Sequence, residues 1–367
     1  MTVLDIALLT YSTKPRGSVV HTLALAEALA AAGQNVTVWT LGRGGDSGFF
    51  RPVDPAVRQL VVAFPDGPPE ETVGERVLRS IATMREAFAP VAAEYDIVHA
   101  QDCISANAVA SDAVRCVRTV HHIDHFTTPE LAACHERAIT TPYAHVCVSA
   151  SVARELADGW GTKAEVIPNG VAYERFATTD PAARARWKYR LGAYVLTVGG
   201  IEPRKGSLDL LDAHALLRDQ RPDTSLVIAG GETLFDYRDY RAQWEARTAQ
   251  LGLEPIVLGP VPDDELPALV AAADAFAFPS VKEGFGLAAM EALAAGVPLV
   301  VRDLPVLREV FGPAARYAAT PDALAAELGH ALTEDDPTRR SAGRELAARH
   351  TWSAAATSHL AFYRSLG

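Results

Sequence analysis

Basic charge is scarce in this 367-residue chain, where 34 Lys and Arg stand against 45 Asp and Glu for a formal net charge of −11. The deficit is shared, with 13 basic and 19 acidic side chains in residues 1–170 and 21 against 26 in the remainder. Neither half can gather the concentrated positive patch that nucleic acid requires, and strong docking on anionic lipid is disfavoured for the same reason. Cysteine is thin as well. The four residues Cys103, Cys116, Cys134 and Cys147 fall in one stretch with no CxxC and no zinc-like spacing, and they read as buried or half-buried free thiols. No uncharged apolar run approaches the ~18 residues a membrane-spanning helix needs, and the first one, IALL, follows Asp5 and is too short for a signal-peptide core. A cytoplasmic location is expected.

A dinucleotide fingerprint is also missing. A hydride-transferring Rossmann domain carries G-x-G-x-x-G directly after its opening strand. Here LLT is followed by YSTKPRGSVVH, which holds one glycine, while the glycine-rich GRGGDSG (42–48) follows the second strand, where the fingerprint does not belong.

What the chain does have is a repeated alternation of short Val, Ile and Leu runs with helix-length segments. The runs are LDIALLT (4–10), NVTVWTL (35–41), QLVVA (59–63), DIVHA (96–100), CVRTVH (116–121), HVCVS (145–149) and AEVI (164–167). Nearly continuous apolar strands between helices mean parallel sheets covered on both faces. After the first strand, SVVHTLALAEALAAAG spaces its apolar residues as a helix and stops at Gly33. A polar stretch, AYERFATTDPAARARWKYRLG, interrupts the pattern. It then restarts with AYVLTVG (193–199), TSLVIAG (224–230), PIVLG (255–259), DAFAFPS (274–280) and VPLVV (297–301). The fold class is therefore α/β, with two doubly wound Rossmann-like domains. They are read as residues 1–171 and 193–349 joined by a linker over 172–192, with a C-terminal helix in 350–367 that packs on either domain.

The most informative segment is FPSVKEGFGLAAMEALAAGVPLVV (278–301). EGFG is a permissive approach to a helix running from about Gly286 to Ala295, with Gly296 as its stop and Pro298 opening the next strand. The helix N-terminus then lies at the C-terminal edge of a parallel strand, where unpaired N–H groups suit a phosphate. Gly284 and Gly286 let that backbone approach a ligand closely. Glu283 and Glu291 repel phosphate, which leaves sugar hydroxyls as their partners. An acidic pair of this spacing also arises by chance, and acidic residues are favoured near helix starts in any case.

This segment resembles the donor-binding segment of retaining GT-B glycosyltransferases of family 4, with the E-x7-E pair at Glu283 and Glu291. The likeness extends to IPNGV (167–171), VGGIEPRKGSLDLLDA (198–213), LGPVPDDELPALVAAADAFAFPS (258–280) and DLPVLREVFG (303–312), and in the first domain to RGSVVHTLALAEAL, DIVHAQD and TVHHID. The resemblance implies a nucleotide-diphosphate sugar held in a cleft between two facing domains, with a UDP- or GDP-linked donor favoured over an ADP-linked one. Glu283 would bind donor-sugar hydroxyls and Glu291 the ribose diol. The amides of Phe285, Gly286 and Leu287 would meet the diphosphate or the sugar, and Val261 the base. Lys205 matches the lysine that grips the diphosphate, and His121 a histidine near the reacting sugar. Gly17 and Ser18 occupy a family Gly-Gly turn, where the Ser18 hydroxyl is placed to cap the first helix. Lys14, Arg16, His21, Gln101, Asp102 and His122 are read as lining the acceptor side, with solvated surface roles as the plain alternative.

The chain departs from the family at Gly199–Gly200, where many relatives carry an arginine after the first glycine. Arg204, beside Lys205, is the candidate to supply that second cation, and a solvent-facing Arg204 is its rival. No cofactor and no metal are expected. The cluster HHIDH (121–125) holds ligand residue types, but neighbours in an extended segment alternate sides and converge poorly. The expected partners are a nucleotide sugar and a small soluble acceptor. Two other classes stay open: a nucleotide-sugar epimerase or glycosyl phosphorylase on a related scaffold, and a nucleotide-binding paralogue without turnover.

Overall fold

The computed structural model describes residues 2–366 apart from 112, 113, 125, 127 and 231–236. The chain divides into two compact units: one runs to Gly170 and resumes at Trp352, and the other is Val171–Thr351.

The first unit is built on β1 (Asp5–Leu9), β2 (Asn35–Arg43), β3 (Val57–Phe64), β4 (Ile97–Ala100), β5 (Cys116–Val120), β6 (Ala144–Cys147) and β7 (Glu165–Val166). These pair in parallel in the order β3-β2-β1-β4-β5-β6-β7. The alternating side-chain pattern of a strand sends Ile6 and Leu8 to one face. There they pack with Val19, Leu23 and Leu29 from the helix Gly17–Ala31 and with Ala356, Leu360 and Tyr363 from the helix Trp352–Ser365. Those last three recur at helical spacing, which gives the C-terminal helix its apolar stripe and commits it to this unit.

The second unit uses β8 (Ala193–Val198), β9 (Thr224–Ala229), β10 (Ile256–Gly259), β11 (Ala275–Phe278), β12 (Leu299–Arg302) and β13 (Arg316–Ala318), again parallel, in the order β10-β9-β8-β11-β12-β13. Its core joins Val195, Leu226, Ile228, Ala275, Ala277 and Val300 from the sheet to Leu211 and Leu217 from the helix Ser207–Arg218. In both sheets the winding direction reverses beside the first strand, at β1/β4 and at β8/β11. Loops leaving the carboxyl ends of such strands diverge and make a crevice.

Two features differ from the sequence reading. Residues 172–192, expected as a linker, form the helices Tyr173–Ala177 and Pro181–Leu191 within the second unit. The local chemistry is that of a helix: the Asp180 carboxylate accepts from the N–H groups of Ala182 and Ala183, Pro181 stands at the first turn, Gly192 ends the helix, and Phe176, Trp187 and Leu191 are buried. The three-residue β13, RYA, was not anticipated because it is too short to show a period. No described helix is long and apolar enough to cross a membrane.

Candidate functional site

In the second unit the sequence-predicted donor residues gather where the loops after β8 and β11 meet. Gly199, at φ 149°, follows β8. A side chain there would press on the Lys205 stem, whose Cε lies 3.4 Å from the position of an added Cβ. The chain then turns through Pro203–Lys205 into Gly206, at φ 64°, and starts the helix Ser207–Arg218. A Cβ on Gly206 would lie 2.3 Å from the Pro279 carbonyl oxygen, so this turn abuts the start of the loop after β11 with no room for a side chain. The Val281 N–H donates to the Arg204 carbonyl at 2.8 Å, which ties the two loops together, and the Arg302 guanidinium at the end of β12 donates to the Pro279 carbonyl at 3.1 Å.

That seam brings three charged groups to one point. Glu283 Oε1 accepts from Lys205 Nζ at 2.6 Å and from Arg204 Nη1 at 3.0 Å. Arg204 Nη2 also reaches Glu202 Oε1 at 3.2 Å. Arg204 is thus drawn into the cluster. Lys205 Nζ sits 5.1 Å from the Phe278 ring centroid, a cation–π contact. Burial lowers the Lys205 pKa while Glu283 opposes that shift. Glu202 was not among the candidates, although the alternation Glu-Pro-Arg-Lys was its signal.

Gly286, at φ 95°, precedes the helix Leu287–Ala294. An added Cβ would crowd Phe311 at 3.1 Å and Phe278 at 3.2 Å, so both backbone angle and space call for glycine. Phe285 is buried with its ring 5.8 Å from that of His350, and Gly284 is buried beside it. The first N–H groups of such a helix have no intrahelical acceptor, which leaves the amides of Phe285, Gly286 and Leu287 available to an oxyanion. Glu291 lies one and a half turns on. Desolvation raises its carboxyl to about 7, with Arg175 opposing and Asp263 adding. Arg175 and Asp263 are themselves ion-paired at 2.8 Å. Arg175 sits on the helix Tyr173–Ala177, inside the segment taken for a linker, which is why it was missed. Gly200 and Val261 are half-buried in the loops that follow β8 and β10.

In the first unit the candidates sort differently. Gly17 begins the helix Gly17–Ala31, but Ser18 does not cap it: the N-cap position is Arg16, with no side-chain cap. Ser18 falls two residues past the cap position, inside the helix, where its carbonyl accepts from Thr22 Oγ1. Lys14 is exposed and paired with Asp46 at 2.9 Å, and Arg16 stacks over Tyr11 at 5.9 Å. His21, read as an acceptor-side group, is a core residue, 1% exposed, with Nδ1 2.9 Å from Asn169 Oδ1. Burial pulls its pKa down to about 3, with His359 adding and the Asn169 hydrogen bond opposing. Asp102 is buried and holds backbone, accepting from the N–H groups of Tyr11 at 2.9 Å and Ser105 at 2.8 Å.

His121 follows β5 and meets the His21 ring at 4.8 Å between centroids. Its pKa lies well below the usual range, through burial first and then through His21, Arg118, His122 and His99, so it is neutral, and its Nε2 has no hydrogen-bond partner among the described residues. His122 pairs with Asp124 at 2.8 Å. His125, the last residue of HHIDH, lies outside the described residues. Among the described residues no group of three or more His, Cys, Asp and Glu is arranged to hold a metal ion. Cys116, Cys134 and Cys147 are buried free thiols and Cys103 a half-buried one, as their spacing suggested.

Comparison with known proteins places both units. Residues 15–175 match the family model Glycosyltransferase Family 4, and residues 184–348 match Glycosyl transferases group 1. The chain is 34% identical over 189 residues to the O-antigen chain mannosyltransferase B of Escherichia coli, covering 49% of this chain and 48% of that protein. It is 28% identical to the phosphatidyl-myo-inositol mannosyltransferase of Mycobacterium leprae, over 96% of this chain and 94% of that one. Among solved structures, Anabaena HepE in complex with UDP-glucose superposes with a TM-score of 0.75 at 20% identity, covering 99% of this chain and 100% of the other. With two parallel-sheet Rossmann-like units and neighbours of this fold, the architecture is GT-B. The chain belongs to glycosyltransferase family 4, the glycosyl transferases of group 1.

Proposed function

We propose that this glycosyltransferase moves a sugar from a nucleotide-diphosphate sugar to the hydroxyl of a small soluble acceptor, with retention at the anomeric carbon. One observation carries the reading: Glu283 draws Lys205 and Arg204 to a single point at the foot of the helix Leu287–Ala294. Two cations beside a helix N-terminus suit a diphosphate, and a carboxylate between them suits sugar hydroxyls. The UDP-glucose bound by HepE supports a nucleotide-diphosphate sugar as donor, and the mannosyltransferase relatives support transfer of a sugar.

In this reading the diphosphate takes Lys205, Arg204 and the amides of Phe285, Gly286 and Leu287. The ribose diol takes Glu291, and the base lies along Val261. As the anomeric C–O bond breaks, its electron pair passes to the leaving phosphate. The acceptor oxygen bonds to the same face of the anomeric carbon, and its proton moves to that phosphate. Lys205 and Arg204 neutralise the charge that develops, which is the largest single lever such a site has. Neutral His121 serves the transferred sugar as a hydrogen-bond partner, and Lys14, Arg16 and His122 serve the acceptor. Thermal shift with UDP, GDP and ADP, followed by product analysis, tests the assignment. Ligand-dependent stabilisation of about RT ln(1 + [L]/Kd) without product would identify a binder instead.

A further inference from the structure

Arg118 stands in the middle of β5, between buried Cys116 and Val120, and is itself 7% exposed. A guanidinium in the interior of a parallel sheet needs acceptors for its five N–H groups. Arg118 Nε and Nη1 are buried and have none among the described residues. Asp102 acts on Arg118 electrostatically, but its two oxygens are occupied by the N–H groups of Tyr11 and Ser105. A buried guanidinium with unfilled N–H groups is costly unless an acceptor pairs with them.

The surroundings point to what pairs with it. β5 and β6 run in a register that sets Arg118 beside His145, on the sheet face where Val120 and Cys147 pack with Ile139 of the helix Pro129–Thr140. That helix carries His135, which Arg118 also influences. His145 is 6% exposed and His135 half-buried, and the Nε2 atoms of both are buried with no hydrogen-bond partner among the described residues. Arg118 and His145 are therefore neighbouring buried side chains with unused nitrogen positions on one sheet face, and Arg118 carries a fixed positive charge.

We propose that Arg118 and His145 form an oxyanion site in the first unit, for a carboxylate or phosphate monoester that the guanidinium grips in bidentate fashion. Planar two-point recognition of such groups is what arginine provides and lysine does not. The site rests on none of the donor residues of the second unit.

The test is isothermal titration of the full-length chain with inorganic phosphate, in an Arg204→Ala/Lys205→Ala background so that these two cations of the second unit do not contribute. Phosphate is expected to bind, and adding Arg118→Met to weaken it at least tenfold, with Arg118→Lys intermediate. Arg118→Met replaces an unpaired buried charge by an apolar chain of similar length, so the fold should survive. As a check on unmutated protein, the arginine Nε–H resonance that is absent from the Arg118→Lys spectrum should move when phosphate is added. Unchanged phosphate affinity in Arg118→Met, or an unmoved resonance, overturns the proposal. Phosphate that competes with the acceptor during transfer assigns the site to an acidic group on the acceptor. Phosphate that raises Tm without slowing transfer assigns it to a free ion.

Discussion

Lys205 Nζ donates to Glu283 Oε1 at 2.6 Å, and the same oxygen takes Arg204 at 3.0 Å. The carboxylate thus neutralises two cations that a diphosphate would otherwise claim. Replacing Glu283 by Gln keeps the shape but removes the charge that Lys205 and Arg204 share. We expect nucleoside diphosphate affinity to hold or rise while turnover falls at least a hundredfold, measured by calorimetry and by initial rates. Loss of nucleotide binding in step with turnover would contradict the division of roles.

Removing either cation tests the departure from the family at Gly200. Arg204→Ala and Lys205→Ala should each lower kcat by similar factors, on the order of a hundredfold, as losing a group that acts on developing charge does. Each also leaves Glu283 short of a partner and should cost about 1–3 kcal/mol of stability in denaturant titration. Near-normal turnover in Arg204→Ala would show that the residue serves only the ion-pair cluster.

Glu291 predicts a pH dependence with a definite sign. Its folded pKa of about 7 lies above the ordinary 4.5, so between those values the folded chain keeps a proton that the unfolded chain has lost. Stability of the ligand-free protein therefore falls as pH climbs through that window, by about 3 kcal/mol or less, and Glu291→Gln removes the slope. Two ribose hydroxyls donate best to the ionised carboxylate. Nucleotide affinity should accordingly rise from pH 6 to 8 in the parent and stay flat in Glu291→Gln.

Gly206→Ala should be far more damaging than an exposed glycine substitution. It combines φ 64° with an approach of 2.3 Å to the Pro279 carbonyl, and that carbonyl belongs to backbone that cannot simply rotate away. A loss of about 2–4 kcal/mol is expected in thermal denaturation, with donor affinity weakened because the loops carrying Lys205 and Glu283 are pushed apart. Gly252→Ala, with a similar φ of 59° and open space around it, should show the strain without the effect on donor affinity.

The sheets were legible because apolar runs such as AYVLTVG and DAFAFPS cannot be mistaken for surface, and the donor helix because EGFG and AAGVP mark its ends. The Pro181–Leu191 helix was overlooked although Asp180-Pro181 and Gly192 announce it, because its exposed face dilutes the apolar period. Glu202 escaped notice for another reason: a carboxylate beside cations says nothing in sequence about which one it will hold. His21 was misplaced because a histidine near a helix start looks the same in sequence whether it faces a ligand or the core. The buried Arg118 was read as part of an ordinary strand.

Incubation of the purified chain with UDP- and GDP-sugars and candidate acceptors, followed by NMR of the anomeric configuration in the product, tests the central claim most directly. The account predicts a glycoside with the anomeric configuration of the donor, formed by the parent, not formed by Glu283→Ala, and formed far more slowly by Lys205→Ala. A product of inverted configuration, or equal transfer by Glu283→Ala, would contradict it.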